Sequence, residues 1–195
     1  MIPILIVLLT TSCCFYFDDH NWLDKKIDFV PLVHSCVSSL TTNLIVLYNP
    51  LLCIDYTNRK ELIYIVVLLL GLGYSFYDIY HSIRKRNIEY LVHGIIMFVS
   101  CYVSLTSSEN IGPILNYAFL CETSTFFLHL RPLKQLWIDL AFVSTFVFYR
   151  LLLLPYITFY YMRQNATLQC LSFCFFILNA FWFSLIVKKL KKIFV

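Results

Sequence analysis

The sequence predicts an all-α fold, a polytopic transmembrane helical bundle of about seven spans. Three observations predict it. Hydrophobic residues make up 60% of the chain, charged residues only 13%, and mean hydropathy is +0.76. An ordinary soluble domain is about 45–50% apolar and about 25% charged. The apolar residues also fall in runs, and a helix needs about 20 of them to cross a bilayer. Finally, the basic residues cluster between those runs, as in loops that flank spans.

Seven apolar runs qualify, at residues 2–17, 29–48, 62–80, 90–105, 111–130, 136–162 and 167–187. The first and fourth are short for a crossing. The first has no basic stretch ahead of it and no clear small-residue cleavage site, so it reads as a retained span rather than a signal peptide. Pro31 falls in the first turn of the second run, where a missing N–H costs little. Gly71-Leu72-Gly73 in the third run is too short to cradle a phosphate and permits close helix approach. The sixth run is long, which predicts tilt or irregularity around Pro155.

The loops give an orientation. Lys25 and Lys26, then Arg84 to Arg86, then Arg131 and Lys134, then Lys188, Lys189, Lys191 and Lys192 all fall on one side if the runs alternate direction. The other side carries Arg59, Lys60 and Arg163, with no basic residue in the turn at 106–110. By the positive-inside rule the first side is cytosolic, the carboxyl terminus with it. The sequon Asn165-Ala166-Thr167 then falls on the far side, too close to a span end for ready modification.

The net charge of +4 resides in these clusters, and no basic helix face interleaved with base-stacking aromatics is present, so no nucleic-acid partner is expected. Eight cysteines include no CxxC and no Cys/His set of zinc spacing; no metal is expected. Cys36, Cys101, Cys121, Cys170 and Cys174 read as small apolar fillers, and Cys13 and Cys14 as an acylation candidate. No GxSxG, HExxH, Walker loop or GxGxxG occurs.

Ionisable groups inside spans cost at least about 2.5 kcal/mol each at a helix centre, so they face the bundle interior and pair. Here they are His34, Asp78, His93, Glu122, His129, Asp139 and Arg150. With alternating spans, five of them lie toward the cytosolic end, and Glu122 and Arg150 lie near mid-depth. They are expected to line a cytosolic half-cavity ending at a Glu122–Arg150 pair. Helical spacing gives shared stripes: His34, Ser38, Thr41; then His93, Met97, Ser100, Ser104; then Glu122, Thr125, His129. Such stripes also serve as ordinary packing contacts between membrane helices. A mid-membrane Arg150 with Glu122 also reads as a structural ion pair.

In order along the chain these positions resemble a known family. Lys25-Lys26-Ile27 and His34-Ser35 come first. Gly73-Tyr74 and Tyr77-Asp78 follow, then Tyr90-Leu91-Val92-His93. Glu122-Thr123-Ser124-Thr125-Phe126-Phe127-Leu128 with Arg131, then Arg150 and Pro155, complete the set. The set resembles the TLC-domain family of translocating-chain-associating membrane proteins, longevity-assurance ceramide synthases and the ceroid-lipofuscinosis protein. It is closest to the small TLC domain-containing proteins. The resemblance implies an N-terminal span and loop at 1–24, a six-span TLC core at 25–189 and a cytosolic tail at 190–195. It also implies residence in the endoplasmic reticulum and membrane lipids as partners.

Three functions follow from the resemblance. One is lipid homeostasis, setting the acyl-chain or sphingolipid composition of membranes. Another is an N-acyltransferase taking fatty acyl-CoA as co-substrate to a sphingoid base, with no bound cofactor. The third is a membrane chaperone or cargo receptor. For acyl transfer, His93 is the expected base and Asp78 its orienting group. His34, Ser124, His129 and Asp139 are supporting polar positions. Many relatives carry two adjacent histidines where this chain has His93-Gly94.

Overall fold

The computed structural model describes residues 2–20, 28–48, 62–106, 118–161 and 166–194. Among them the chain forms seven helices and no strand. They are α1 (Ile2–His20), α2 (Phe29–Tyr48), α3 (Leu62–Lys85) and α4 (Ile88–Thr106). A 3-10 turn (Phe119–Cys121) then leads into α5 (Glu122–Leu130). Helix α6 is a single rod built of Leu136–Thr145, a π-helical stretch Phe146–Leu153, and Leu154–Tyr161. Helix α7 is Ala166–Phe194. Lys25, Lys26, Arg59, Lys60, Arg163 and Asn165 lie outside the described residues, as do the side chains of Lys191 and Lys192.

Five of the helices are long and apolar enough to cross a membrane, at Phe29–Leu47, Ile65–Lys85, Ile88–Thr106, Leu136–Phe159 and Ala166–Lys189. The fourth run is therefore not short: Ile88 and Glu89 join its first turn. The third continues past Tyr80 to Lys85, because Arg84 and Lys85 suit the negative end of a helix dipole. Helix α1 remains a shorter apolar helix, Pro3–Asp18. Large side chains stand exposed along the outer faces, for example Leu44, Phe148, Phe173 and Ile177. A soluble monomer rarely shows so much apolar surface; lipid covers it at no cost.

Six helices close a ring in the spatial order α2, α3, α4, α7, α6, α5, with α5 returning to α2. Helix α1 packs outside, mainly on α3. The α1–α3 contact forms because Gly73 has no side chain. A Cβ there would meet Thr10 Cβ at 2.8 Å and the Val7 carbonyl oxygen at 3.0 Å. Thr11 Oγ1 donates to the Gly73 carbonyl across it, at 3.0 Å. Gly71 likewise makes room for the Phe119 ring. Helices α2 and α5 meet through hydroxyls: Ser39 and Thr123 share a 2.8 Å hydrogen bond, and Asn43 Nδ2 donates to both. The buried stripe of α2 is Ser35, Ser38, Ser39 and Thr42, rather than one running through Thr41.

The irregularity of α6 lies just ahead of Pro155. A proline ring collides with the carbonyl four residues earlier, and the missing N–H breaks one rung. The widened register, in which the Leu154 N–H reaches the Tyr149 carbonyl, relieves both upstream of the proline.

Candidate functional site

The start of α2, the end of α3, the start of α4, the end of α5, the start of α6 and the end of α7 all meet at one end of the ring. Between them lies a cavity of about 480 Å³. Such a meeting requires that successive helices alternate direction. Three of the four basic clusters accordingly flank the same end, with Lys85, Arg131 and Lys189 on the cavity wall.

The deep end is built on Arg150, which the π-helical stretch carries. Runs of this register are often found at functional sites. Arg150 is buried, and each guanidinium nitrogen has a partner. Nε donates to Ser124 Oγ at 2.7 Å, Nη1 to Asn179 Oδ1 at 3.0 Å, and Nη2 to Thr125 Oγ1 at 2.7 Å. The Glu122 carboxylate stands 4.0 Å from Nη2. The rings of Phe146, Phe175 and Trp182 surround the cation at 5.6, 5.7 and 5.8 Å. The expected Glu122–Arg150 pair is thus present but loose, and neutral oxygens supply the short bonds. This density of partners offsets the cost of taking a cation out of water.

Glu122 also borders a smaller, mostly apolar pocket of about 50 Å³, lined by Met97, Ser100, Phe119, Leu171 and Phe175 among others. Met97 and Ser100 of the α4 stripe therefore face this pocket, while His93 of the same stripe faces the main cavity.

His93 is buried between the rings of Phe175 and Trp182, with centroids at 5.2 and 5.7 Å. Its Nδ1 has no hydrogen-bond partner among the described residues. Asp78 shares the cavity, but its carboxylate packs against the next residue of α4. A Cβ on Gly94 would lie 3.2 Å from Asp78 Oδ2 and 3.0 Å from Ile79 Cγ1. Gly94 is therefore a close contact of α4 on α3, and any side chain there requires Ile79 and Asp78 to give way.

Ser124 and His129 also face the cavity, as do Asp139 and its 2.6 Å partner Arg131. His34 does not. It stacks on Tyr74 with ring centroids 3.6 Å apart, and Tyr74 is the residue that faces the cavity. Sequence reasoning misses His81 because the third apolar run ends at Tyr80, yet Tyr74, Asp78, His81 and Lys85 form one helical face. It also misses Asn179, a fully buried amide within an apolar run. A search for amides as well as ionisable groups finds it.

No solved structure matches the chain. A family model described as the TLC domain matches residues 26–188. That stretch holds all but the last residues of the six-helix ring and leaves α1 outside it. Among the described residues five helices are long and apolar enough to cross a membrane, and this match covers most of the chain: the protein is an integral membrane protein that belongs to the TLC-domain family.

Proposed function

We propose that this protein sets the acyl-chain or sphingolipid composition of the endoplasmic reticulum membrane, and that it does so by admitting an acyl-bearing amphiphile to the cavity from the cytosolic end. The observation that carries the reading is a cavity of about 480 Å³ inside an otherwise apolar ring, lined by many charged and polar side chains among apolar ones. Burying so many polar groups without a ligand to serve them is costly in hydrocarbon. The basic residues at the mouth favour the cytosolic side for this end by the positive-inside rule. Membrane lipids and fatty acyl-CoA are the partners of this reading.

A second reading, acyl-CoA-dependent N-acyl transfer to a sphingoid base, is favoured by one observation. A buried imidazole whose Nδ1 has no partner among the described residues faces the cavity, and a substrate proton is one partner that would account for it. In that reaction the amine nitrogen attacks the thioester carbonyl carbon, the C–S bond breaks, and the amine proton ends on the departing thiolate. His93 is the group placed to handle that proton.

The test is transfer from a labelled fatty acyl-CoA to a sphingoid base by detergent-purified protein, beside His93→Ala. General acid–base catalysis contributes about 10²–10⁴-fold, so the variant is expected to lose that much of any turnover. Turnover abolished in the variant establishes the transferase. No turnover by well-folded protein, with membrane acyl composition still altered when the protein is removed from cells, leaves the homeostasis reading alone. Unchanged composition sinks both.

A further inference from the structure

Behind the α3 wall lies a second group of titratable side chains, and part of it comes from outside the family segment. His81 lines the cavity, with its side chain one-fifth exposed (20%). Its Nδ1 is 3.6 Å from Asp18 Oδ2 and 3.4 Å from the Tyr77 hydroxyl. Asp18 belongs to α1, which the family match over residues 26–188 does not include. The contact is held in place: Phe15 of α1 packs edge-on to Tyr77 and Tyr80, with centroids at 5.6 and 5.0 Å, and Thr11 bonds to Gly73 further along.

A carboxylate on one imidazole nitrogen fixes the ring and its tautomer, leaving the other nitrogen as a lone-pair acceptor. With Nδ1 turned to Asp18 and Tyr77, Nε2 is the nitrogen left for the cavity. This is the carboxylate-oriented arrangement expected of His93, whose Nδ1 is bare.

The charge on the walls is uneven. Asp28, Asp78 and Glu89 line the cavity with His81, and Lys85 is drawn to Asp28 at 3.7 Å. The other helices bring Arg131, Arg150 and Lys189 to the lining, with Asp139 on Arg131 and Glu122 4.0 Å from Arg150, so Lys189 is the cation there without a carboxylate partner among the described residues. An ammonium group suits the first wall, and an electron-rich carbonyl or anionic group suits the second.

We propose that the α3 wall is the amine end of the cavity, taking a primary amine carried on an apolar chain, with His81, positioned by Asp18 of α1, as its proton acceptor. The assignment rests on the acyl-transfer reading. A proton passes from the ammonium to His81 Nε2, and the freed lone pair attacks the thioester carbonyl carbon. The C–N bond forms as the C–S bond breaks, the second amine proton goes to the thiolate, and His81 returns its proton to water at the mouth.

The experiment is histidine labelling of the full-length purified protein with diethyl pyrocarbonate, mapped by peptide mass spectrometry, with and without sphinganine or palmitoyl-CoA. His81 is expected to be labelled, and at least about fivefold more slowly at a sphinganine concentration several times its Kd. Asp18→Asn is expected to abolish most of that protection while thermal stability is retained, and Asp18→Glu to restore it. Equal labelling with and without the amine, or full protection in Asp18→Asn, overturns the proposal. Transfer assays on the same samples separate the two ideas. Protection without turnover sinks the acyl-transfer reading and leaves the amine site. Turnover that His81→Gln leaves intact, with amine KM unmoved, sinks His81 alone.

Discussion

The two walls of the cavity solve the problem of buried polarity in opposite ways. On the α5, α6 and α7 side, Arg150 reaches Ser124, Thr125 and Asn179 with short bonds, and Arg131 grips Asp139. On the α3 and α4 side the helices meet backbone to backbone at Gly94, and His93 keeps a bare Nδ1. A densely bonded network specifies and rigidifies a structure, even with the Asn179 Nδ2 amide left over among the described residues, whereas a ring nitrogen without a partner beside a cavity is a standing cost that a ligand can relieve. The difference gives the first wall the rigid anchor of the fold and its cations, and the second the groups that handle protons.

The largest test of that division is Arg150→Ala. It removes the shared donor of three oxygens and leaves Glu122 as a buried, unpaired carboxylate. Breaking a buried pair from one side costs about 3–5 kcal/mol, so thermal unfolding in detergent should show a steeper loss than any single substitution on the α3 and α4 side. A variant that stays stable but stops binding ligand would move Arg150 from the scaffold to the reaction and erase the contrast.

Next come the variants at Gly94. Overpacking a tight contact costs about 1–3 kcal/mol, and Gly94→Ala is expected to fall in that range because Ile79 and Asp78 must give way. Gly94→His, which writes the family's histidine pair back into the chain, is expected to cost more and to gain no transfer activity. Improved activity in that variant would show that α3 and α4 part more easily than their contact suggests.

His93→Phe should cost less stability than either. The ring keeps its place between Phe175 and Trp182, and no hydrogen bond to Nδ1 is lost. The phenyl ring is somewhat larger than imidazole, and the cavity beside it takes up the difference, so the cost stays at the low end of overpacking, about 1 kcal/mol. The expected outcome is a near-normal unfolding midpoint with transfer or ligand binding gone. A large loss of stability would place His93 in the scaffold.

Much of this was legible in the sequence, for physical reasons that differ by residue. Span existence, alternation and the gathering of Asp78, His93 and His129 toward one end, with Glu122 and Arg150 deeper, follow from hydropathy and charge, which bilayer insertion makes nearly deterministic. The role of Gly94 was not legible, because a missing histidine and a required glycine look identical until the neighbouring helix is in place. Nor was the engagement of Arg150 by Asn179 and Ser124 rather than chiefly by Glu122: neutral partners carry no charge signature. His81 was hidden by a boundary, since three basic residues after Tyr80 look like a loop although they also suit the last turn of a helix.

The smallest effect sharpens the comparison most cleanly, because it concerns the scaffold alone. Ser39 and Thr123 join α2 to α5 through one 2.8 Å hydrogen bond, away from the cavity walls. Membrane interhelical hydrogen bonds measured by double-mutant cycles average about 0.6 kcal/mol. The cycle Ser39→Ala, Thr123→Ala and the double variant should return a coupling of about that size in detergent unfolding. Asn43 Nδ2 donates to both hydroxyls and can follow whichever remains, which pulls the coupling toward the low end. Neither single variant should alter histidine labelling of the cavity. If one does, α2 and α5 transmit strain to the reactive wall, and the division between a structural half and a chemical half does not hold.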